Sequence, residues 1–169
     1  MQVDLNISLI HVLRNPYDMV ATTSLRAIAA QAPTLLAMNS SSPAGRIALS
    51  TVVVDAPDVV DYATEVFVQR AEALLRLRDC VLRRARGCQH LRWLDLGFEA
   101  LVAAPDPALR ALCEFLALPC PPLYRRRAAA AVSSTLTAPR RRLRWPPPAV
   151  AAIAALLRHT PWRAQGYQL

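Results

Sequence analysis

The sequence predicts an α/β fold with few parallel strands and mostly helices. Three observations carry that expectation. An early apolar segment reads as a strand and passes straight into a capped helix. A second short strand lies past the middle of the chain, and amphipathic helical patterns separate and follow the two. The order strand, helix, helix, strand, helix suits helices packed on a parallel sheet. Only two or three strands are visible, where a doubly wound sheet carries roughly five. The chain is therefore expected to form part of a domain.

The opening residues alternate, with Val3, Leu5, Ile7 and Leu9 apolar, and then become continuously apolar through Leu13. This predicts a strand half exposed at first and buried on both faces later. At Asn15-Pro16-Tyr17-Asp18 the pattern changes. Asn is a favoured N-cap, Pro a favoured first helical residue, and Asp18 falls where the helix dipole favours an acid. A helix is expected from there to about Ala30.

Residues 31–46 are rich in Ser, Pro, Gly and Asn and read as a loop, and 31–58 as a variable loop region. Residues 47–54 fit a strand or a helix start equally well. A long helix is expected from Pro57 to about Ala85, with Val59, Tyr62, Ala63, Val66, Leu74, Leu77 and Val81 on its apolar face. Gly87 breaks it, and residues 91–96 form a short strand. Asp106-Pro107 repeats the cap-plus-proline start, followed by a stripe of Leu109, Leu112, Cys113 and Leu116. Pro119 to Pro122 ends that helix, and an Ala-rich helix runs from about Leu123 to Val132. After the polar turn SSTLTAP come Arg140-Arg141-Arg142, Trp145, three prolines and a last helix with Val150, Ile153 and Leu157 on one face.

The chain has 169 residues, a length that suits one domain, and 54% of them are apolar, enough for a packed core. No apolar run reaches the roughly 18–20 residues of a membrane span. The N-terminus lacks a basic segment, carries Asp4 and does not read as a signal peptide. The compartment is unreadable, cytoplasmic by default. All twenty basic residues are arginine, in keeping with GC-rich coding. Residues 1–114 hold eleven Arg and all twelve acids, whereas residues 115–169 hold nine Arg and no acid. The last third therefore carries a positive field that attracts phosphates, sulfates, nucleic acid or an anionic membrane.

The four cysteines, Cys80, Cys88, Cys113 and Cys120, form no CxxC, and no His stands at zinc-ligand spacing. No metal is expected. A Cys80–Cys88 disulfide is left open, and Cys113 reads as a core residue on its helix stripe. His11 reads as a packed residue in its strand, Asp95 and Glu99 as groups that hold an arginine or position a loop, Trp145 as core packing or a helix-entry staple ahead of a stacking partner for adenine, and Arg125 to Arg127 as a solvated helix face.

The residue with the clearest chemical meaning is Arg14. It stands at the C-terminal end of a strand, where open α/β sheets bind ligands, and just ahead of a helix N-terminus with free N–H groups. Thr22, eight residues on, lies two turns into that helix. A guanidinium and a hydroxyl suit a phosphate monoester. An ion pair between Arg14 and a nearby carboxylate would have the same sequence pattern.

The segment IHVLRNPYDMVATTSL resembles the 3′-phosphate-binding segment of sulfotransferases that use 3′-phosphoadenylyl sulfate. In that family a strand ends in Arg, usually within RNPxD, with Ser or Thr eight residues later; Arg14 and Thr22 match. LDLGFEALVAAPDPALRALCEFLAL resembles the family's later strand, acidic residue and helix, with Glu99 in the acidic place and Phe98 where Tyr or His is commoner. SSTLTAPRRRLRW, followed by a helix and a closing Gly-Tyr, resembles the C-terminal segment whose Ser and Arg residues lie near the nucleotide. Arg140, Arg142 or their neighbour would fill that role, with Ala138 where Arg is expected.

The resemblance implies a P-loop-like three-layer fold, with 3′-phosphoadenylyl sulfate as sulfate donor, a hydroxyl or amine as acceptor, and no metal. It implies Arg14, Thr22 and one of Arg140 to Arg142, with Arg142 as a candidate beside Arg140, as the 3′-phosphate ligands. The family's Gly-, Ser- and Thr-rich phosphosulfate loop, expected upstream of Arg14, has no counterpart in these residues, and no general base can be carried over. Residues 1–169 are accordingly expected to be a single partial domain, the C-terminal half, with weak or no activity. Two other readings stay open. One is a non-catalytic nucleotide binder or truncated product. The other is a basic protein for nucleic acid or anionic surfaces, which the lack of interleaved aromatics disfavours for nucleic acid.

Overall fold

Strand β1 (Ile7–Leu13) pairs in parallel with β2 (Leu91–Gly97), register Ile7 to Leu91 through Leu13 to Gly97. The computed structural model describes residues 7–31, 53–132, 138–158 and 161–167. Its helices are α1 (Pro16–Gln31), α2 (Pro57–Leu82), α3 (Phe98–Ala103), α4 (Pro105–Leu116), α5 (Pro122–Ala131) and α6 (Pro147–Leu157), with 3₁₀ turns at Pro139–Arg142 and Trp162–Gln165. The fold is mixed α/β and mostly helical, with a two-stranded parallel sheet among the described residues. Most of residues 31–58, the expected variable loop, lies outside the described residues, as does the turn before Ala138.

The chain divides into two compact units. The strand unit comprises Met1–Arg14 and Glu72–Thr137; the helical unit comprises Asn15–Ala71 and Ala138–Leu169.

In the strand unit, the both-face burial expected late in β1 does not occur. Ile10 and Val12 are 40% and 52% exposed, while Leu13 is buried. The reason is strand number: a parallel strand becomes buried on both faces only when helices cover both sides of a wider sheet. Helix α2 ends at Leu82, short of Ala85, and the chain turns through Arg84 and Gly87, both at positive φ. A disulfide joins Cys80 to Cys88 across that turn, Cα atoms 6.0 Å apart. Helix α4 starts at Pro105, not at a cap on Asp106; Asp106 sits in the first turn and receives Arg125 Nη1 at 2.6 Å. Leu109 and Cys113 are buried as their stripe requires, and Cys113 is also disulfide-bonded to Cys120.

In the helical unit, Asn15 Oδ1 accepts the Tyr17 N–H at 3.0 Å, so the expected cap on α1 is formed. The core gathers Tyr17, Val20 and Ala21 of α1, Val60 and Ala63 of α2, Leu143, and Ala149 and Ile153 of α6. The buried stripe of α2 here is Val60, Ala63, Thr64 and Ala71, rotated by one residue from the expected face. Tyr62, expected inside, is 70% exposed. Spacing alone admitted both registers, and the smaller side chains pack against α1 and α6. Val54 makes a parallel bridge to Leu143: its N–H donates to Arg142 C=O at 2.7 Å, and its C=O accepts Arg144 N–H at 2.9 Å. Val54 thus ends the undecided 47–54 stretch in an isolated β-bridge, and residues 47–52 lie outside the described residues.

Candidate functional site

Arg14 follows the last residue of β1, and Phe98 follows the last residue of β2. Parallel pairing of Leu13 with Gly97 brings the two strand ends level. The Arg14 guanidinium lies over the Phe98 ring, 5.0 Å from its centroid, a cation–π contact. Among the described residues Arg14 makes no ion pair. A cation–π contact uses none of the five guanidinium N–H donors as a conventional hydrogen bond, so they remain available to an oxyanion. The site is thus the C-terminal edge of a parallel strand pair, where α/β sheets take ligands.

Thr22 and the Arg140 segment belong to the helical unit. Thr22 Oγ1 donates to the Asp18 carbonyl at 2.7 Å, one turn back. Its single proton is committed there, and its lone pairs remain acceptors. Asp18 is buried and receives both the Arg140 backbone N–H, at 3.2 Å, and Arg140 Nη1, at 2.5 Å. The carboxylate of the RNPxD pattern therefore ties α1 to the 3₁₀ turn. Trp145 Nε1 donates to the Arg140 carbonyl at 2.9 Å, and its ring meets Tyr17 edge-on at 5.1 Å. Trp145 packs, as expected, and burial pushes the Tyr17 phenol up from its ordinary value. Arg142 Nε is buried without a hydrogen-bond partner among the described residues. Of the two arginines singled out, Arg140 is held by Asp18 while Arg142 keeps an unused donor.

A second polar cluster lies in the strand unit. His11 and Asp95 are register partners, and His11 Nδ1 donates to Asp95 Oδ1 at 3.1 Å. Trp93 Nε1 donates to the same oxygen at 2.8 Å, and Arg78 Nε to Oδ2 at 2.7 Å. Burial alone would push the Asp95 carboxyl up; hydrogen bonds from His11, Trp93 and Arg78, with the Arg78 charge, outweigh it and lower it to about 2. Asp95 thus holds an arginine, as one reading of it expected, and His11 is packed in its strand. The His11 and Arg78 contacts were missed. Their signal was an acid between Leu94 and Leu96 in an apolar strand, which needs donors on the neighbouring elements.

The positive field of residues 115–169 is partly offset by earlier acids. Arg125 pairs with Asp106, Arg140 with Asp18 and Arg144 with Asp55. An open cleft of about 400 Å³ is lined by Ala154, Leu157, Arg158 and Arg163, and none of the expected phosphate ligands lines it. Among the described residues no group of three or more His, Cys, Asp or Glu is placed to hold a metal ion, and no helix is long and apolar enough to cross a membrane. No protein-family model, curated protein or solved structure matches the chain.

Proposed function

We propose that the chain carries the 3′-phosphate-binding half of a nucleotide site of the sulfotransferase kind, within a P-loop-like three-layer arrangement. Its ligand is the adenosine 3′,5′-bisphosphate portion of 3′-phosphoadenylyl sulfate. The observation that supports this is Arg14: a guanidinium at the C-terminal end of a parallel strand, steadied by the Phe98 face and paired with no carboxylate among the described residues. The RNPxD pattern agrees with it, and the resemblance adds Thr22, Arg140 and Arg142 as ligands of the same phosphate. Arg142 has the unused donor; Arg140 and Thr22 would have to exchange an internal bond for one to phosphate.

The reaction of that family transfers a sulfuryl group from the donor to a hydroxyl or amine, with the bisphosphate as leaving group. Arg14 would hold the 3′-phosphate, a group on the ribose that takes no part in the bonds made and broken at sulfur. Its contribution is therefore to binding and orientation.

Calorimetry with adenosine 3′,5′-bisphosphate tests the reading. Binding should weaken roughly ten- to hundredfold in Arg14→Ala, the equivalent of one charge-assisted hydrogen bond. Absence of binding, or binding indifferent to Arg14→Ala, removes the nucleotide role. Turnover of labelled donor decides between an enzyme and a non-catalytic binder.

A further inference from the structure

The segment joining α4 to α5 and the first turn of α5 turn large apolar side chains outward. Leu118 is 57% exposed, Leu123 54% and Tyr124 50%. Ala117, Pro119, Pro121 and Pro122 between and beside them are exposed as well. Apolar groups crowded at the surface in this way mark an interaction site.

The segment is closely held. The Cys113–Cys120 disulfide closes it, and the Leu118 N–H donates to the Cys113 carbonyl at 2.9 Å. Arg125 Nη1 reaches both Asp106 oxygens, at 2.7 and 2.6 Å, and its own N–H donates to the Pro121 carbonyl at 3.2 Å. These bonds order the surface before any partner arrives, which lowers the entropy cost of docking.

Charge accompanies the apolar patch. Arg126 and Arg127 are exposed and stand three and four residues beyond Leu123, on the same side of α5. Helix α5 buries none of its residues. From residue 115 to the C-terminus there is no acid, and the nearest along the chain is Glu114, one turn ahead of Leu118.

We propose that this disulfide-clasped Leu118, Leu123, Tyr124, Arg126 and Arg127 surface docks on an anionic lipid bilayer. The leucines enter the acyl boundary, Tyr124 sits at headgroup depth with its hydroxyl in water, and the two arginines meet lipid phosphates and carboxylates. The charge excludes the closest competitors. Two copies meeting through this face would bring Arg126 and Arg127 toward their own equivalents. A nucleic acid would satisfy the arginines but leave both leucines in water, with one aromatic ring for stacking.

Sedimentation of the full, oxidised chain with vesicles of phosphatidylcholine, with and without phosphatidylserine, tests the proposal. The chain should pellet with the phosphatidylserine vesicles and release as salt rises. L118S/L123S should partition roughly tenfold more weakly. R126E/R127E should lose the preference for phosphatidylserine. Both pairs are exposed, so their far-UV circular dichroism should match the parent chain. Four outcomes overturn the proposal: no binding to phosphatidylserine vesicles; binding unaffected by R126E/R127E; duplex DNA binding that R126E/R127E abolishes and L118S/L123S leaves intact; or a dimer in solution that L118S/L123S dissolves.

Discussion

The two units are held together by different means. The helical unit has a continuous apolar core contributed by α1, α2, α6 and Leu143, with Val60, Ala21 and Ile153 fully shielded from water. Among the described residues the strand unit buries only Leu13, Val81, Cys88, Leu109 and Cys113 of its apolar side chains, and two of those five are disulfide-bonded. In place of core it has two covalent clasps, the Asp95 cluster and the Asp106–Arg125 pair. A small unit with little apolar surface to hide needs such ties, because burial alone does not offset its chain entropy. Core dominates where helices meet face to face, and bonds dominate where a two-stranded sheet leaves one face wet.

Three measurements would break or sharpen that contrast. The largest effect should come from Ile153→Ala, which empties the centre of the helical core and should cost about 3 kcal/mol in chemical denaturation. A loss near zero would mean that the helical unit does not depend on its core. Next, removing one disulfide at a time, by Cys80→Ser with Cys88→Ser or by Cys113→Ser with Cys120→Ser, should cost roughly 2–3 kcal/mol, as expected for loops closed over eight and seven residues. Hydrogen exchange should then speed up in β2 and α4 while α6 stays protected. Equal loss in both units would erase the distinction.

The smallest effect concerns Asp95. Its folded pKa of about 2 lies below the ordinary carboxylate value of 3.8. A group with a depressed folded pKa contributes stability above its unfolded value and loses it as pH falls through the folded one. About 2 kcal/mol should therefore disappear between pH 4 and pH 2. Asp95→Asn should lack that component of the acid titration. A variant with the parent's full acid sensitivity would shift the effect to other carboxylates.

The sequence was most legible where local chemistry decides. Asn15-Pro16 marked the start of α1, and Asn15 caps Tyr17 as read. The Leu109 and Cys113 stripe marked the buried face of α4. It was least legible where a distant partner decides. Helix α2 offered two adjacent apolar stripes, and packing with α1 and α6 selected the one that leaves Tyr62 in water. Asp18 reads as a helix-dipole acid until the chain returns with Arg140, and Cys113 as a core residue until Cys120 meets it. For the candidate site, Arg14 was visible from its place between strand and cap. Its Phe98 contact depends on strand pairing, and the pattern around it does not encode that register.

The bond between Asp18 and Arg140 spans 122 residues of chain. On a ribosome adding ~5–20 residues per second, the acid emerges on the order of ten seconds before its partner is made. The same delay applies to Tyr17 and Val20, whose neighbours Leu143 and Ile153 arrive last. During that interval α1 is a nascent helix with an unpaired carboxylate and an uncovered apolar face, the kind of surface that chaperones recognise. A chain released early, before Arg140, would keep both.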